Sequence, residues 1–299
     1  MRIVVAGPIA FDTVETPHGK REDLVGGAAT YFALAARFFA PVAIVSAVGR
    51  DFPKRELDYL ASVGLDLEGV QVRRGKTFRW SGLYRDDMNH RDTLELKVNV
   101  FSSFQATVPQ SYRESEACFL ANMDPVLQLR VLDQLRGPRL VAMDTMDHWI
   151  QSRPTELQRL LGRVSLLIIN EQEAALLSGK ATLARAAREI FLMGPQHLVI
   201  KRGAYGAIYF TKESAFTVPA YPVARALDPT GAGDSFAGGS IGHLAACGSL
   251  SPQDIRRAMG YGSVLASFTV EEFGLERLRS LGADDVERRL KEFEAMTPS

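Results

Sequence analysis

The sequence predicts an α/β fold: a doubly wound, mostly parallel sheet with a small β-lid. Short apolar runs rich in β-branched residues recur along the chain, helical patterns separate them, and one polar hairpin interrupts the alternation. Alternating strands and helices favour a parallel sheet with helices on both faces, because each helix carries the chain back to where the next strand starts. With 299 residues, 46% of them hydrophobic, the chain is long enough to bury a large core.

The strands and helices are expected in a regular order from the N-terminus. A first strand over residues 2–6 precedes Gly7 and Pro8, and a buried helix over 28–40 follows the pair Gly26-Gly27. Later strands are expected over residues 41–45, 118–120, 140–143, 166–169 and 198–200, with helices near 125–135, 154–161 and 183–193. Two packed helices over 233–248 and 252–268 and a charged amphipathic helix over 284–295 complete the pattern.

Two segments break the alternation and predict the lid. Residues 78–84 and 93–98 resemble strands, and the polar segment 85–92 between them predicts a hairpin loop. A second polar segment, residues 16–23, also lies between core elements. We predict that they form a β-lid over a cleft, roughly residues 13–25 and 76–104, inserted in a single domain over 1–299. The alternative is a hairpin at the edge of the main sheet.

Composition limits the partners and the compartment. Basic and acidic residues balance at 35 each, so nothing indicates a nucleic acid or an anionic membrane as partner. Cys118 and Cys247 lie far apart in apolar stretches, which predicts buried free thiols in a reducing compartment. The apolar N-terminal run ends at Asp12, too early for a signal peptide or a membrane span. We therefore expect a cytoplasmic protein.

The segment D-P-T-G-A-G-D, residues 228–234, carries the strongest functional signal. A glycine-rich turn before a helix offers free backbone N–H groups and the positive end of the helix dipole, which together favour an anion. Gly231 and Gly233 let a phosphate approach the backbone without a Cβ in the way. Asp234 would accept a proton from a hydroxyl while the amides hold the transferring group. The alternative role for Asp234 is a helix cap.

The run Gly233-Asp234-Ser235 also suggests a different chemistry. It is similar to a hydrolase motif in which Ser235 would attack an ester. Such a serine needs a histidine base, and the five histidines show no diagnostic arrangement, so hydrolysis is a distant alternative. The sequence has no H-E-x-x-H motif and no paired C-x-x-C motif, and it therefore predicts no zinc site.

Several motifs, taken in order, resemble the PfkB or ribokinase-like family of carbohydrate and nucleoside kinases. Residues 228–234 are close to its D-T-x-G-A-G-D signature, and residues 26–51 look like its N-terminal signature. Residues 170–173 are similar to its N-x-x-E motif, and 201–206 resemble the strand and loop that meet the nucleotide. Residues 7–12 resemble the first loop, whose aspartate holds substrate hydroxyls. The resemblance covers nearly the whole chain and implies a ribokinase-like fold with ATP and Mg²⁺ as cofactors.

The resemblance implies phosphoryl transfer to a hydroxyl and assigns roles to single residues. Asp234 would be the base, and the amides of residues 231–234 would stabilise the charge on the moving phosphoryl group. These amides belong to Gly231, Ala232, Gly233 and Asp234. The acceptor is assigned to Asp12, Gly27 and Tyr31. The nucleotide is assigned to Lys201, Gly203, Gly206, Ser263, Thr230, Asn170 and Glu173, the last two near Mg²⁺ and partly through water.

Four of these residues have competing structural roles. Asn170 and Glu173 have the spacing of a capping box at a helix start. Lys201 fits a lysine that extends from an edge strand into solvent, and Asp12 fits a loop residue that caps a turn.

Three positions depart from the family pattern. Tyr31 stands where an asparagine often touches a sugar, and an aromatic ring there would pack against a base or a ring face. Glu271 stands where a threonine is common near the family's monovalent-cation site, which leaves open whether Asp228 helps to hold K⁺. Pro229 replaces a threonine and stiffens the entrance of the glycine-rich loop.

We expect an ATP-dependent kinase of a small sugar, with a nucleoside kinase of the same family as the alternative. A polar pocket around Asp12, Gly27 and Tyr31 would favour a sugar, and an aromatic slot would favour a nucleoside. The intact Asp234 argues against a binding protein that has lost its chemistry. An exposed lid edge would allow a homodimer, whereas no nucleic acid or membrane partner is expected.

Overall fold

The computed structural model describes residues 1–297, and within them thirteen strands form two sheets. The strands are β1 (Ile3–Ala6), β2 (Ala10–Thr16), β3 (Gly19–Gly26), β4 (Val42–Gly49), β5 (Val70–Arg73), β6 (Phe78–Tyr84), β7 (Arg91–Lys97), β8 (Ala117–Leu120), β9 (Leu140–Met143), β10 (Leu166–Asn170), β11 (His197–Lys201), β12 (Ala207–Phe210) and β13 (Ala215–Val218). The larger sheet has the order β13-β12-β11-β10-β9-β8-β1-β4-β5. All its strand pairs are parallel except β11–β12 and β12–β13, so only β12 runs in the opposite direction, which confirms the predicted mostly parallel sheet.

Eleven α-helices connect or cover these strands in the described part of the chain. They are α1 (Ala28–Ala36), α2 (Lys54–Ser62), α3 (Pro125–Leu132), α4 (Asp147–Ser152), α5 (Pro154–Leu161), α6 (Glu171–Ser178), α7 (Leu183–Met193), α8 (Ala232–Cys247), α9 (Pro252–Thr269), α10 (Glu276–Arg279) and α11 (Ala283–Met296). Across residues 1–297, none of these helices combines the length and the apolar character that a membrane crossing needs.

The central strands of the main sheet are buried on both faces, which explains why they are nearly continuous apolar runs. In β1, Ile3 and Val5 join the core layer that contains Phe32 of α1. Val4 of the same strand faces the opposite layer, which contains Leu160 of α5. Side chains alternate across a strand, so a strand covered on both sides favours apolar residues at nearly every position; Ser46 of β4 is a buried polar exception whose hydroxyl accepts a hydrogen bond from the amide of Ile9.

Helix α8 packs tightly between α1 and α9 because small residues face both neighbours. A Cβ on Gly238 would lie 2.7 Å from the Cβ of Ala35 in α1, and a Cβ on Gly239 would lie 2.8 Å from the carbonyl oxygen of Tyr261 in α9. Both distances are shorter than van der Waals contact, so larger side chains would push the helices apart. This packing fixes the first turn of α8, where residues 231–234 lie.

Four strands form a separate sheet that covers one end of the main sheet. Its order is β3-β2-β6-β7, and β2 pairs in parallel with β6. The two predicted lid segments therefore pair with each other, and the alternative of an edge hairpin on the main sheet is wrong. The first lid strand begins at Ala10, three residues before the predicted boundary, which places Asp12 on a lid strand.

Several boundaries and elements differ from the sequence-based prediction. Helix α1 ends at Ala36 rather than at residue 40, and strand β4 continues to Gly49 rather than ending at 45. The prediction missed α2, α4, α10, β5 and the hairpin β12–β13. Both cysteines are free, but only Cys118 is buried; Cys247 is exposed because it lies in the last turn of α8.

Candidate active site

A pocket lies under the lid at the carboxyl ends of the parallel strands. In open α/β sheets this edge is where ligands bind. Strand β8 is followed by Asn122 and β9 by Asp144, while β10 and β11 end in Asn170 and Lys201. Of the residues that the sequence assigned to a site, six line this pocket: Asp12, Gly27, Tyr31, Thr230, Gly231 and Asp234.

The start of α8 presents open backbone amides to this pocket. Gly231 precedes the helix with φ +76°, a left-handed conformation that glycine adopts without strain. The amide of Ala232 donates to the carbonyl of Pro229 at 3.1 Å, and the amide of Ser235 donates to Gly231 at 2.8 Å. In residues 1–297 the amides of Gly231, Gly233 and Asp234 have no acceptor, so three of the four amides assigned to the phosphoryl group are available.

Asp234 lies in a cluster of opposing charges. Burial raises its pKa, and the positive charges of Lys201 and Arg91 act in the opposite direction. Asp144, after β9, has a pKa raised well above its ordinary value by burial and by the charge of Asp234. The proximity of the two carboxyl groups therefore favours a neutral Asp144 beside an ionised Asp234, and the ionised form is the one that can accept a proton from a substrate.

Lys201 points toward the first turn of α8, which is the phosphate region by the assignment from sequence, rather than into solvent. It ends β11, which has a paired strand on each side, so the edge-strand alternative is wrong. A Cβ on Gly233 would lie 2.7 Å from Lys201 Nζ, which places the ammonium against the first turn of α8. Its charge also opposes the rise that burial causes in the pKa of Glu173.

Asn170 and Glu173 form the capping box of α6. The amide of Asn170 donates to the Glu173 carboxylate at 2.8 Å, and the amide of Glu173 donates to Asn170 Oδ1 at 2.8 Å. The structural role is therefore present, but Glu173 is also buried beside Lys201. The box holds a carboxylate at the edge of the phosphate region, and one oxygen remains for a hydrated cation.

Asp12 is a buried carboxylate that faces the pocket from β2. Its Oδ2 accepts a hydrogen bond from the amide of Gly27 at 3.3 Å. Burial, with the charges of Asp228 and Asp234, raises the pKa of Asp12 to about 7. The Tyr31 hydroxyl and Asn122 Oδ1 nearby are buried and lack a partner among residues 1–297. These groups can bind the hydroxyls of an acceptor.

Aromatic rings form most of the remaining wall of the pocket. Phe78, Trp80 and Tyr84 come from β6 of the lid, and Trp149 comes from α4. With Tyr31, five aromatic side chains surround a space beside Asp12. The slot is therefore aromatic on several sides, with polar groups concentrated at the Asp12 end and at the start of α8.

Arg91 brings a positive charge from the lid into the same pocket. It opens β7, lines the pocket and lowers the pKa values of Asp234 and Glu173 through its charge. Its guanidinium also lies 5.6 Å from the ring centre of Trp80. The lid thus contributes both an aromatic wall and a cation to the pocket.

The other residues assigned to the nucleotide lie outside this pocket, along one continuous path. Asn89 at the lid tip accepts a hydrogen bond from the amide of Ala204 at 3.0 Å, beside Gly203. A Cβ on Gly206 would overlap Pro219, whose carbonyl accepts a hydrogen bond from Ser263 at 3.0 Å. Ser263 also accepts from the amide of Tyr221, so its hydroxyl supports the 219–221 segment.

Asp228, Thr230 and Ser235 hold the glycine-rich loop in place. The amides of Thr230 and Gly274 donate to the two oxygens of Asp228 at 2.8 and 2.9 Å. The Thr230 hydroxyl donates to the hydroxyl of Tyr84 at 3.3 Å, which joins the loop to the lid. Ser235 is fully buried and accepts a hydrogen bond from Thr269 at 2.8 Å, an environment unsuited to a nucleophile that must reach a substrate.

Sequence reasoning missed Arg91, Asp144 and the aromatic wall. Phe78, Trp80 and Tyr84 alternate at even spacing on a predicted strand, which was a signal that they share one face. Asp144 directly follows a buried strand, a position where a carboxylate at the ligand-binding edge is to be expected. Trp149 carried no such signal, because it lies in a short helix outside every motif.

Comparisons with known proteins agree with this geometry. The model of the pfkB family carbohydrate kinases matches residues 9–279. The chain is 34% identical over 247 residues to the cytidine kinase of Thermococcus kodakarensis, a match that covers 80% of this chain and 87% of that protein.

Two solved structures share the fold. A nucleoside kinase of Burkholderia thailandensis in complex with inosine superimposes with a TM-score of 0.81 at 19% identity, covering 99% of each chain. A putative ribokinase II of E. coli in complex with ATP and Mg²⁺ superimposes with a TM-score of 0.78 at 20% identity, covering 97% of this chain and 99% of that one.

Proposed function

This chain belongs to the pfkB family of carbohydrate kinases, a family of phosphotransferases that act on sugars or nucleosides, and we propose that it is an ATP-dependent nucleoside kinase. We therefore favour the nucleoside alternative over the sugar acceptor that the sequence led us to expect. One observation carries this choice: five aromatic rings line the acceptor pocket beside Asp12. A free pentose would leave most of these rings without a partner, whereas a nucleobase stacks on them. The 34% identity to a cytidine kinase supports the same class of acceptor.

The proposed mechanism starts with the acceptor held at both ends. Asp12 would accept hydrogen bonds from the ribose hydroxyls, and the Tyr31 hydroxyl and Asn122 would satisfy further polar groups. The base would lie among Trp80 and Trp149. This arrangement leaves the hydroxyl to be phosphorylated near Asp234, the other carboxylate that lines the pocket.

Asp234 would take the proton of that hydroxyl as the new O–P bond forms. The amides of Gly231, Gly233 and Asp234 would hold the oxygens of the transferring phosphoryl group, with the dipole of α8 behind them. Lys201 would hold the nucleotide phosphates from the opposite side. Asn170 and Glu173 would hold Mg²⁺, partly through water, and the ion would neutralise phosphate charge when bound. A role for K⁺ at Asp228 is a further part of this proposal.

Lid closure is part of the proposed cycle. The hydrogen bond from Ala204 to Asn89 joins the lid tip to the loop after β11, and Thr230 joins the lid to the glycine-rich loop. A closed lid excludes water from the phosphoryl group and lowers the rate of wasteful ATP hydrolysis.

The direct test uses both binding and turnover. The chain has two tryptophans, Trp80 and Trp149, and both line the pocket, so intrinsic fluorescence should change on acceptor binding. With ATP and Mg²⁺, we expect a phosphorylated product from cytidine or another nucleoside, identified by mass. Product from ribose or hexoses but from no nucleoside would contradict the proposal and return the assignment to a sugar kinase.

A further inference from the structure

Three potential metal ligands meet at the end of α8 that is distant from the active site. The ligand atoms of His243, Cys247 and Asp254 all lie within 4.8 Å of one another. His243 and Cys247 are four residues apart in α8 and so share one face of that helix, while Asp254 lies in the first turn of α9. His243 is eleven residues beyond Ala232, or roughly 17 Å along the helix, which separates this cluster from the phosphate region.

Neighbouring aromatic rings hold the imidazole of His243 in place, but its Nε2 atom makes no hydrogen bond within the described residues. Its ring lies 4.9 Å from the ring of Tyr261 and makes an edge contact with Phe39. Its Nε2 atom is buried and has no hydrogen-bond partner in residues 1–297. In its neutral form an imidazole has one ring nitrogen with a lone pair available for a metal.

The carboxylate of Asp254 is oriented by two hydroxyls. Ser249 and Ser251 each donate a hydrogen bond to Asp254 Oδ2 at 2.5 Å. These bonds lower the pKa of Asp254 and keep it ionised. Hydroxyls that fix a carboxylate in this way are typical of the residues surrounding a metal ligand, because they orient it before the ion arrives. Cys247 is exposed, so an ion can reach its sulfur from solvent.

We propose that His243, Cys247 and Asp254 form a binding site for a divalent transition-metal ion, with Zn²⁺ as the ion that this ligand set fits best. Imidazole nitrogen, thiolate sulfur and carboxylate oxygen are the three ligand types of zinc sites, and water would complete a tetrahedron. Ligand atoms in such a tetrahedron are about 3.5 Å apart. The ion would therefore draw the three groups slightly together and tie the end of α8 to the start of α9. Cys247 would lose its proton to solvent as the metal–sulfur bond forms.

The sequence alone predicted no zinc site, because the third ligand comes from a second helix. His243 and Cys247 form only an H-x₃-C pair, and Asp254 lies beyond the turn that contains Gly248. The spacing matches no familiar zinc motif; folding brings the three residues together.

Cobalt provides a spectroscopic test that is independent of kinase activity. Titrating the metal-free, reduced full-length protein with Co²⁺ should give a saturable 1:1 spectrum with a thiolate-to-cobalt absorption band, and Zn²⁺ should abolish the band by displacing Co²⁺. Cys247→Ser should remove the band, and His243→Ala should weaken Co²⁺ binding at least tenfold. Cys118→Ser is the matched control for the other thiol and should keep the full spectrum.

Two outcomes of the Co²⁺ titration would overturn the site. One is the absence of saturable Co²⁺ binding with thiolate character in the wild-type protein. The other is a thiolate band that persists in Cys247→Ser, which would assign it to another sulfur. Zn²⁺ should also raise the melting temperature of the wild-type protein but not that of Cys247→Ser, and equal increases in both would contradict the proposal as well.

Discussion

The ring of Tyr31 in α1 packs directly against the backbone of Gly231 at the start of α8. A Cβ on Gly231 would overlap that ring, and Gly231 also has φ +76°. The aromatic pocket proposed for the acceptor and the amides assigned to phosphate thus share one contact. Tyr31, which stands where the family pattern often has an asparagine, therefore supports the glycine-rich loop.

Gly231→Ala should disturb both the pocket beside Tyr31 and the backbone amides of the glycine-rich loop. The new methyl group would displace the Tyr31 ring and strain the left-handed backbone, so we expect kcat/KM to fall by at least roughly 10²-fold. Gly137→Ala is the matched control, because Gly137 has φ +64° but no atom lies within 4 Å of the point where its new methyl group would sit. Steady-state kinetics of both variants would check this, and equal losses would mean that backbone strain alone is responsible.

Asp234→Asn should remove the base while leaving the nucleotide site intact. We expect kcat to fall by about 10²–10⁴-fold, the usual contribution of a positioned general base, with ATP binding preserved. Ser235→Ala should retain kcat and lose about 1 kcal/mol of stability, because it deletes one buried hydrogen bond with Thr269. Activity that survives Asp234→Asn but not Ser235→Ala would instead support the hydrolase hypothesis.

Asp12 should destabilise the fold as pH rises. Its pKa is raised from 3.8 to about 7, so the folded state holds this proton more tightly than the unfolded state. The stability from the protonated form is fully present below about pH 4 and is lost as pH rises to about 7, on the order of 4 kcal/mol. Asp12→Asn should remove this loss.

Chemical denaturation of both proteins between pH 4 and 8 measures the effect of Asp12. The free energy of unfolding of Asp12→Asn, relative to the wild type, should increase through this range and level off above pH 7. The variant should also show a raised KM for the acceptor. A difference in stability that stays constant with pH would contradict the assigned titration of Asp12.

Arg91→Gln should shift the pH profile as well as lower the rate. Without the guanidinium, the pKa of Asp234 rises, and the acidic limb of the kcat profile should move to higher pH. We expect kcat to fall by roughly 10–10²-fold, because a charge aimed at the reacting groups is lost. Arg85→Gln is the control from the same hairpin: Arg85 is exposed and pairs with Asp92 at 2.6 Å. A loss of the same size in both variants would indicate general damage to the lid.

The sequence predicted the main sheet well because a strand buried on both faces has few alternatives to an apolar run. The glycine-rich turn was equally predictable, because its small residues are needed to leave the backbone amides open to an anion. The antiparallel strands β12 and β13 were missed because each has four residues and a mixed burial pattern. Edge elements of this kind are specified by pairing rather than by local sequence.

The acceptor pocket was only partly predictable for a different reason. Asp12, Gly27 and Tyr31 lie near family-like motifs, whereas Trp149 and Arg91 belong to no motif and reach the pocket through tertiary packing. The choice between a sugar and a nucleoside acceptor depends on residues such as Trp149, which no motif marks. That choice therefore required the structure.

The proposed nucleoside kinase activity depends on a nucleobase bound by the aromatic wall. Its most direct test is kcat/KM for cytidine and for ribose, measured with ATP in the wild type and in Trp80→Leu. We predict an advantage for cytidine of at least about 10²-fold, since base stacking contributes roughly 1–3 kcal/mol per ring. Trp80→Leu should reduce that advantage at least tenfold while leaving the ribose value nearly unchanged. A wild-type enzyme that uses ribose as well as cytidine, or a Trp80→Leu variant that loses both activities equally, would contradict nucleobase binding by the aromatic wall.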